Sequence, residues 1–327
     1  MESVVGRTLA LMPVDELRAL TKIMIDSHLH FSGCLSPSCA AELASVSLAE
    51  AEAQLVPTDD AHKTLLSLIS RFDLLDRVVW DESKLAAAIA SVREQTEDLH
   101  GCWMRVSVDK YAHSGMMPSE VLSQIADGLP NARIVLAFRY EQPEWRLGLL
   151  NHPAVHGLDF VGNEHKFCAP SVCDAARTAV NKGVVVFAHV GETLTQEDTL
   201  WRIRMLASAG VRNICHGVRA FAPPEHGQAT TAYWDSVLEV MDAMRDTGSW
   251  FHMAPSSNYW TGAWGDPNRH PAGWMADNDM LVTVGADDPV QCRCTLRDEL
   301  ARFGELTVAR LIENARRHWQ EFAGGKK

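Results

Sequence analysis

The sequence predicts a (β/α)8 (TIM) barrel in which all 327 residues form one domain. Three observations carry this. Eight short runs rich in apolar and β-branched residues recur along the chain. Stretches with helical periodicity fill most of the gaps between them. Ionisable residues collect at the C-terminal ends of the runs, which a ring of parallel strands brings to one face. A doubly wound sheet would want a glycine-rich phosphate turn after its first strand; His30-Phe31-Ser32-Gly33 lacks that spacing.

The first run, 23–30 (IMIDSHLH), ends in His28 and His30. Side chains two apart on a strand point the same way, so both imidazoles can reach one cation. The following gap, 31–103, must hold helices beyond one barrel unit, with 83–99 as the last; long insertions at this end of a strand commonly form a lid. The second and third runs, 104–111 (MRVSVDKY) and 132–139 (ARIVLAFR), flank a helix at 118–126. The fourth, 155–162 (VHGLDFVG), precedes a helix at 171–181. The fifth, 184–191 (VVVFAHVG), carries His189 near its end, with Gly191 and Glu192 next, and a helix at 196–209. The sixth, 211–217 (VRNICHG), ends in His216-Gly217. A helix at 233–245 leads to the seventh, 249–256 (SWFHMAPS). The eighth, 281–288 (LVTVGADD), ends in Asp287 and Asp288 before Pro289, and a helix at 306–322 completes the chain.

Hydrophobic residues make up 46% of the chain, ample for a core of this size. A net charge of −12 and a pI of about 5.6 argue against nucleic acid or an anionic membrane as partner, because such a surface repels phosphate. Eight scattered cysteines without a CxxC pair point to a reducing, cytoplasmic setting. No apolar run is long enough to span a bilayer, and the stretch 13–20 reads as amphipathic rather than as a signal peptide. The oligomeric state is not encoded in any of these features.

Three imidazoles and a carboxylate, His28, His30, His189 and Asp287, make a donor set suited to zinc, iron or another divalent ion. Such an ion lowers the pKa of bound water towards neutrality. Glu192 is placed to carry a proton between water and substrate, and His216 and Asp288 to orient the water. Each residue also has an ordinary reading. His189 could be a hydrogen-bonded core histidine, Asp287-Asp288 a helix N-cap pair, and His216 the mark of a turn. Those readings would have to coincide at four strand ends. His62, His100, His113, His152, His156, His226 and His270 lie in helical or loop contexts and read as surface or core residues; His165 and His252 stay open.

In order along the chain, these segments resemble the adenosine deaminase family of metal-dependent hydrolases. His28-Leu29-His30-Phe31-Ser32-Gly33, Phe187-Ala188-His189-Val190-Gly191-Glu192, Ile214-Cys215-His216-Gly217, the segment from Pro255 to Trp264, and Ala286-Asp287-Asp288-Pro289 are similar to its motifs. Phe138-Arg139-Tyr140 through Trp145 and Leu158-Asp159-Phe160-Val161-Gly162 also match in position, so the likeness spans about residues 20–320. The resemblance implies a barrel with one zinc per chain, another divalent metal being possible, and hydrolytic deamination at C6 of a 6-aminopurine. It implies that His28, His30, His189 and Asp287 hold the metal and that Glu192 protonates the purine N1. Water positioned by His216 and Asp288 would attack C6, and ammonia would leave. Gly162 would contact the ring through its N–H.

Leu68, Ile69 and Phe72, similar to the family's lid helix, would either form the apolar rim of the substrate pocket or simply pack on the barrel. Members acting on adenosine usually carry aspartate, a ribose contact, where this chain has Ser32. The resemblance implies adenosine, deoxyadenosine or a close analogue as substrate; the shorter, neutral Ser32 opens adenine, an N6-substituted adenine, a nucleotide or another amino-heterocycle as alternatives. A non-deaminating amidohydrolase on the same barrel is the remaining enzymatic alternative, and a non-catalytic binding protein the non-enzymatic one. His165 and Lys166 would meet a polar end of the substrate or be solvated, and Trp260 and Trp264 would edge the pocket or support the fold.

Overall fold

A computed structural model of the protein describes residues 23–58, 63–143, 146–222 and 231–322. His62, Trp145, His226 and the 13–20 stretch lie outside the described residues. Eight parallel strands stand in sequence order around a barrel: β1 (Ile25–His30), β2 (Gly101–Val106), β3 (Ala132–Arg139), β4 (Val155–Val161), β5 (Val185–Val190), β6 (Asn213–His216), β7 (Trp250–Met253) and β8 (Val282–Val284). The seam between β8 and β1 closes through the segment after β8. The His30 N–H donates to the Asp287 carbonyl at 2.9 Å, and the Asp287 N–H to the His28 carbonyl at 2.7 Å. Beneath this, the buried Asp26 carboxylate accepts the N–H groups of His28 (2.9 Å) and Ala286 (3.1 Å). Burial outweighs those two hydrogen bonds and pushes the Asp26 pKa up to about 7.

All eight predicted strands exist, and one is displaced. The second begins at Gly101 and ends at Val106, and Asp109–His113 is helical. Gly101 belongs in the strand because a Cβ there would sit 2.8 Å from the Trp319 ring. Asp109 starts the helix with its carboxylate in the favourable first turn. The predicted insertion after β1 folds as Pro37–Ala44, Leu48–Leu55, Leu65–Ser70, Asp73–Asp76 and Glu82–Thr96. Ser36, Ser47, Thr64 and Asp81 cap four of these helices by accepting a backbone N–H.

Alternation along the strands divides the core. Cys102, Met104 and Val106 of β2 pack in the large apolar cluster that joins sheet and helices. Trp103 instead joins Val135, Phe187 and Cys215 in a separate cluster within the barrel. Trp319 and Phe322 of the last helix, Glu305–Glu321 and the turn after it, pack against that cluster from the N-terminal end of the strands. The Trp103 ring lies 5.2 Å from Phe187 and 5.7 Å from Trp319. Polar residues fill the rest of the interior. The Asn213 side-chain carbonyl accepts from His318 (2.7 Å) and His252 (3.2 Å), and His252 also meets the Thr283 hydroxyl at 2.9 Å. His252, left open by the sequence, is thus a hydrogen-bonded core residue.

Replacing Trp103 by alanine removes a fully buried aromatic from a site too crowded to collapse cleanly. The variant is expected to lose about 3–5 kcal/mol of stability, read as a lowered midpoint of urea unfolding.

Candidate metal and acid–base centre

Strand ends far apart in sequence converge at the C-terminal mouth of the barrel. Nε2 of His28 lies 3.1 Å from Nε2 of His189 and 3.3 Å from that of His30, and His30 and His189 are 3.3 Å apart. Oδ1 of Asp287 lies 3.3 Å from both His28 Nε2 and His30 Nε2. Five of the six separations among the four donors are thus those expected around one small cation, since donors held at zinc–nitrogen and zinc–oxygen distances stand about 3.3 Å apart; the sixth, between His189 and Asp287, is wider. Asp287 Oδ1 is buried and has no hydrogen-bond partner among the described residues. The donor set therefore fits a divalent cation. His30, with 21% of its side chain accessible, is the open side of the cluster.

What lies behind His189 sets its tautomer. Nδ1 donates to Asp159 Oδ1 at 3.1 Å, so in the neutral ring the Nε2 lone pair faces the cluster. Burial by itself would raise the Asp159 pKa; His189 and Arg105 outweigh it and hold the carboxylate at about 2. The Arg105 guanidinium bonds Asp159 Oδ2 at 2.9 Å and the carbonyls of Ser27 (2.7 Å) and Trp103 (2.9 Å), inside the barrel. Burial first, then Arg105, pushes His28 well below the usual imidazole range. Burial, then His189, does the same to His30. Neutral imidazole is the form that binds metal.

His216 is wired the opposite way. The Ala272 N–H donates to His270 Nδ1 (3.3 Å), so the His270 proton sits on Nε2 and goes to Asn258 Oδ1 at 3.0 Å. The Asn258 amide then donates to His216 Nδ1 at 2.9 Å. His216 accordingly presents an Nε2–H, 3.6 Å from Glu192 Oε2 and 3.9 Å from Asp287 Oδ2. The donor atoms of His28, His189, His216 and Asp287 lie within 4.8 Å of one another. The protonated nitrogen makes His216 a hydrogen-bond donor within that group instead of a ligand.

Glu192 is buried, and its loop is held by a second carboxylate. Glu164 accepts the N–H groups of Gly191 (2.7 Å), Glu192 (3.0 Å) and Thr193, and the Thr193 hydroxyl at 2.6 Å. Burial first, then the charges of Glu164, Asp287 and Asp288, raises the Glu192 pKa well above the usual carboxyl range. Asp288 is raised similarly, by burial and then Asp287. Asp288 caps the helix Pro289–Cys292 by position only, since its side chain accepts no cap hydrogen bond. Gly33 packs against it so closely that a Cβ would lie 2.0 Å from Oδ1. His216 (φ 63°) and Asp287 (φ 62°) both adopt the left-handed region that non-glycine residues avoid.

The remaining predicted positions are spread around the mouth. Ser32 begins the turn after β1 and accepts from Lys110 Nζ at 2.5 Å. Gly162 follows β4 with φ 91°. Leu68 is buried and Ile69 half-buried in Leu65–Ser70, with Phe72 half-buried just beyond. His165 and Lys166 are exposed, in the single 3-10 turn Glu164–Lys166 after β4. Trp260 and Trp264 donate to the carbonyls of Cys292 and Arg269, both at 3.2 Å, and so support the fold. The sequence reading missed Arg105, Lys110, Glu164 and Asn258, gave Asp159 no role, and set His270 aside. The available signal was a charge inside an apolar run, Arg105 in β2 and Asp159 in β4.

A model of the family described as adenosine deaminase matches residues 24–316. An adenine deaminase from Rhizobium johnstonii is 21% identical, with 84% of this chain and 85% of that one covered. An adenosine deaminase from Lacticaseibacillus casei is 22% identical, with 89% and 87% covered. The crystal structure of an adenine deaminase from Arthrobacter aurescens superposes with a TM-score of 0.73 at 17% identity, covering 90% of this chain and 92% of that one.

Exchanging Asp159 for asparagine removes the charge that fixes the His189 tautomer. Affinity for a divalent cation is expected to fall about 10- to 100-fold, measured by competition with a chromophoric chelator. Unchanged affinity would show that Asp159 does not govern the donor set.

Proposed function

We propose, starting from the fact that this chain belongs to the adenosine deaminase family, that it hydrolyses the exocyclic amine from C6 of an aminopurine at the cluster described above. Membership makes it a hydrolase of carbon–nitrogen bonds, a deaminase of adenine- or adenosine-like compounds. The finer reading assigns His28, His30, His189 and Asp287 as the ligands of one zinc ion per chain. The observation that carries it is the convergence of those four donors, with five of their separations at 3.1–3.3 Å and His28 and His30 held neutral by burial. When bound, the cation supplies a Lewis acid that makes water nucleophilic near neutral pH.

The chain's own groups divide the rest of the work. Glu192, kept protonated by burial and neighbouring carboxylates, delivers its proton to the purine N1 and so makes C6 electrophilic. His216 offers its Nε2–H to the attacking oxygen. Asp288 Oδ1, buried without a hydrogen-bond partner among the described residues, accepts a hydrogen bond from the same water. The Gly162 N–H holds the ring at the end of β4. Leu68, Ile69 and Phe72 form an apolar edge that keeps water from the reacting carbon. The acidic surface suits a small-molecule partner in the cytoplasm over a nucleic acid or membrane, and no helix among the described residues is long and apolar enough to cross a membrane. The whole chain acts as one catalytic domain.

Ammonia release from a panel of purine bases, nucleosides and nucleotides tests the reaction; silence across the panel would refute it. Glu192→Gln is expected to lower kcat/KM by about 10²–10⁴-fold while the zinc content measured by elemental analysis stays at one per chain. His216→Ala should likewise keep its metal, and His189→Ala should lose it. Because the required form of Glu192 is the protonated one and its pKa is raised, kcat/KM should hold through neutral pH and fall on the alkaline side. A profile limited only on the acid side would count against Glu192 as the proton donor.

A further inference from the structure

Lys110 is an oddity beside this centre. It belongs to the short helix after β2, is half-buried, and its Nζ donates to Ser32 Oγ at 2.5 Å. Ser32 follows His30 by one turn residue, and its neighbour Gly33 is pressed against Asp288. The ammonium thus stands at the edge of the proposed reaction site. Among the described residues no carboxylate lies within ion-pair distance of it. Asp76 acts on it from farther away and pairs, at 3.9 Å, with Arg139. Arg139 ends β3, and its Cγ lies 4.0 Å from where a Gly162 Cβ would be. Arg139 also acts on Asp109, which pairs with Arg146 at 3.8 Å, so Lys110, Arg139 and Arg146 stand here against Asp76 and Asp109.

Two aromatic rings flank the ammonium. Nζ lies 5.0 Å above the Trp80 ring and 5.2 Å above Tyr111. Those two rings touch edge to face at 4.8 Å. Both are almost fully buried, and neither the Trp80 indole N–H nor the Tyr111 hydroxyl has a hydrogen-bond partner among the described residues. Burial lowers the Lys110 pKa to about 8, which leaves it charged at neutral pH.

We propose that Ser32 and Lys110, backed by Arg139, form a subsite for a phosphate monoester carried by the aminopurine, so that the preferred substrate is a nucleotide. This rests on the deaminase reading above and narrows it. A phosphate offers several acceptor oxygens and a charge that fits one fixed ammonium and a neighbouring guanidinium. A neutral ribose hydroxyl would leave the ammonium without a counter-charge. A carboxylate brings two oxygens and one charge to these cations, whereas a phosphate monoester brings three oxygens and up to two charges.

The test compares metal-loaded wild type with Lys110→Met and Lys110→Arg on adenine, adenosine, AMP and adenosine 5′-carboxylic acid, following ammonia. Calorimetric binding of inosine and IMP gives a readout independent of turnover. Wild type should favour AMP over adenosine in kcat/KM, and IMP over inosine in affinity. Lys110→Met should shrink both ratios about 10- to 100-fold, and Lys110→Arg should restore most of each. The proposal is overturned if the neutral nucleoside is preferred, or if the ratios do not move in a Lys110→Met protein of normal circular dichroism and metal content. Equal use of the carboxylate analogue and AMP would overturn the assignment to phosphate. If no compound releases ammonia, the deaminase reading fails, and the IMP-to-inosine binding ratio still decides whether the anion subsite exists.

Discussion

The centre depends on how the barrel seam is closed. β8 is short and ends at Val284, so the ring is completed by the segment beyond it, through the two backbone hydrogen bonds that Asp287 exchanges with β1. Those bonds place the Asp287 carboxylate beside His28 and His30. They also require a left-handed backbone at Asp287, a conformation that costs a non-glycine residue about 1–2 kcal/mol. The surrounding structure over-determines that position. Asp26 holds the N–H groups of His28 and Ala286, and Gly285 must be small because a Cβ would lie 2.6 Å from Asp26 Oδ1. Barrel closure and construction of the donor set are therefore one event.

Electrostatics at the mouth follow from that convergence. Asp159, Glu164, Glu192, Asp287 and Asp288 are all buried within one neighbourhood. Arg105 is the buried cation below them, and it compensates Asp159 directly. Asp287 and Asp288 are left with raised pKa values, because burial and mutual repulsion oppose two adjacent charges. A divalent cation among the imidazoles would relieve this excess of acceptors. The same crowding keeps a proton on Glu192. An arrangement that would be costly as pure structure is coherent as a proposed seat for a cation and an acid.

Much of this was legible in the sequence, and the rest was hidden for identifiable reasons. The eight strands were legible because each is an apolar, β-branched run. His28, His30, His189, His216, Asp287 and Asp288 were legible because each interrupts such a run near its C-terminal end. The second strand, expected at 104–111, starts instead at Gly101, a glycine that the Trp319 ring demands and that adds nothing to an apolar, β-branched pattern. That shift concealed Lys110, which read as part of a strand end. Arg105 and Asp159 make sense only across the barrel, as partners 54 residues apart in sequence. Asn258 acquires meaning only through its contact with His216, and His270 only through Asn258, which no local pattern announces.

The positions of two protons separate the roles of two neighbouring imidazoles. The rings of His189 and His216 are 4.9 Å apart, both buried, and of the same chemistry. Asp159 draws the His189 proton outward onto Nδ1 and leaves a lone pair facing the centre. The chain from the Ala272 N–H through His270 and Asn258 does the reverse, because a backbone N–H can only donate and every later group must follow its polarity. His216 is thus left with its proton facing the centre. A cation would be attracted to the first ring and repelled by the N–H of the second, while an oxygen nucleophile would be held by the second. Ligand and donor are consequently distinguished by what stands behind each ring, a carboxylate in one case and an amide in the other.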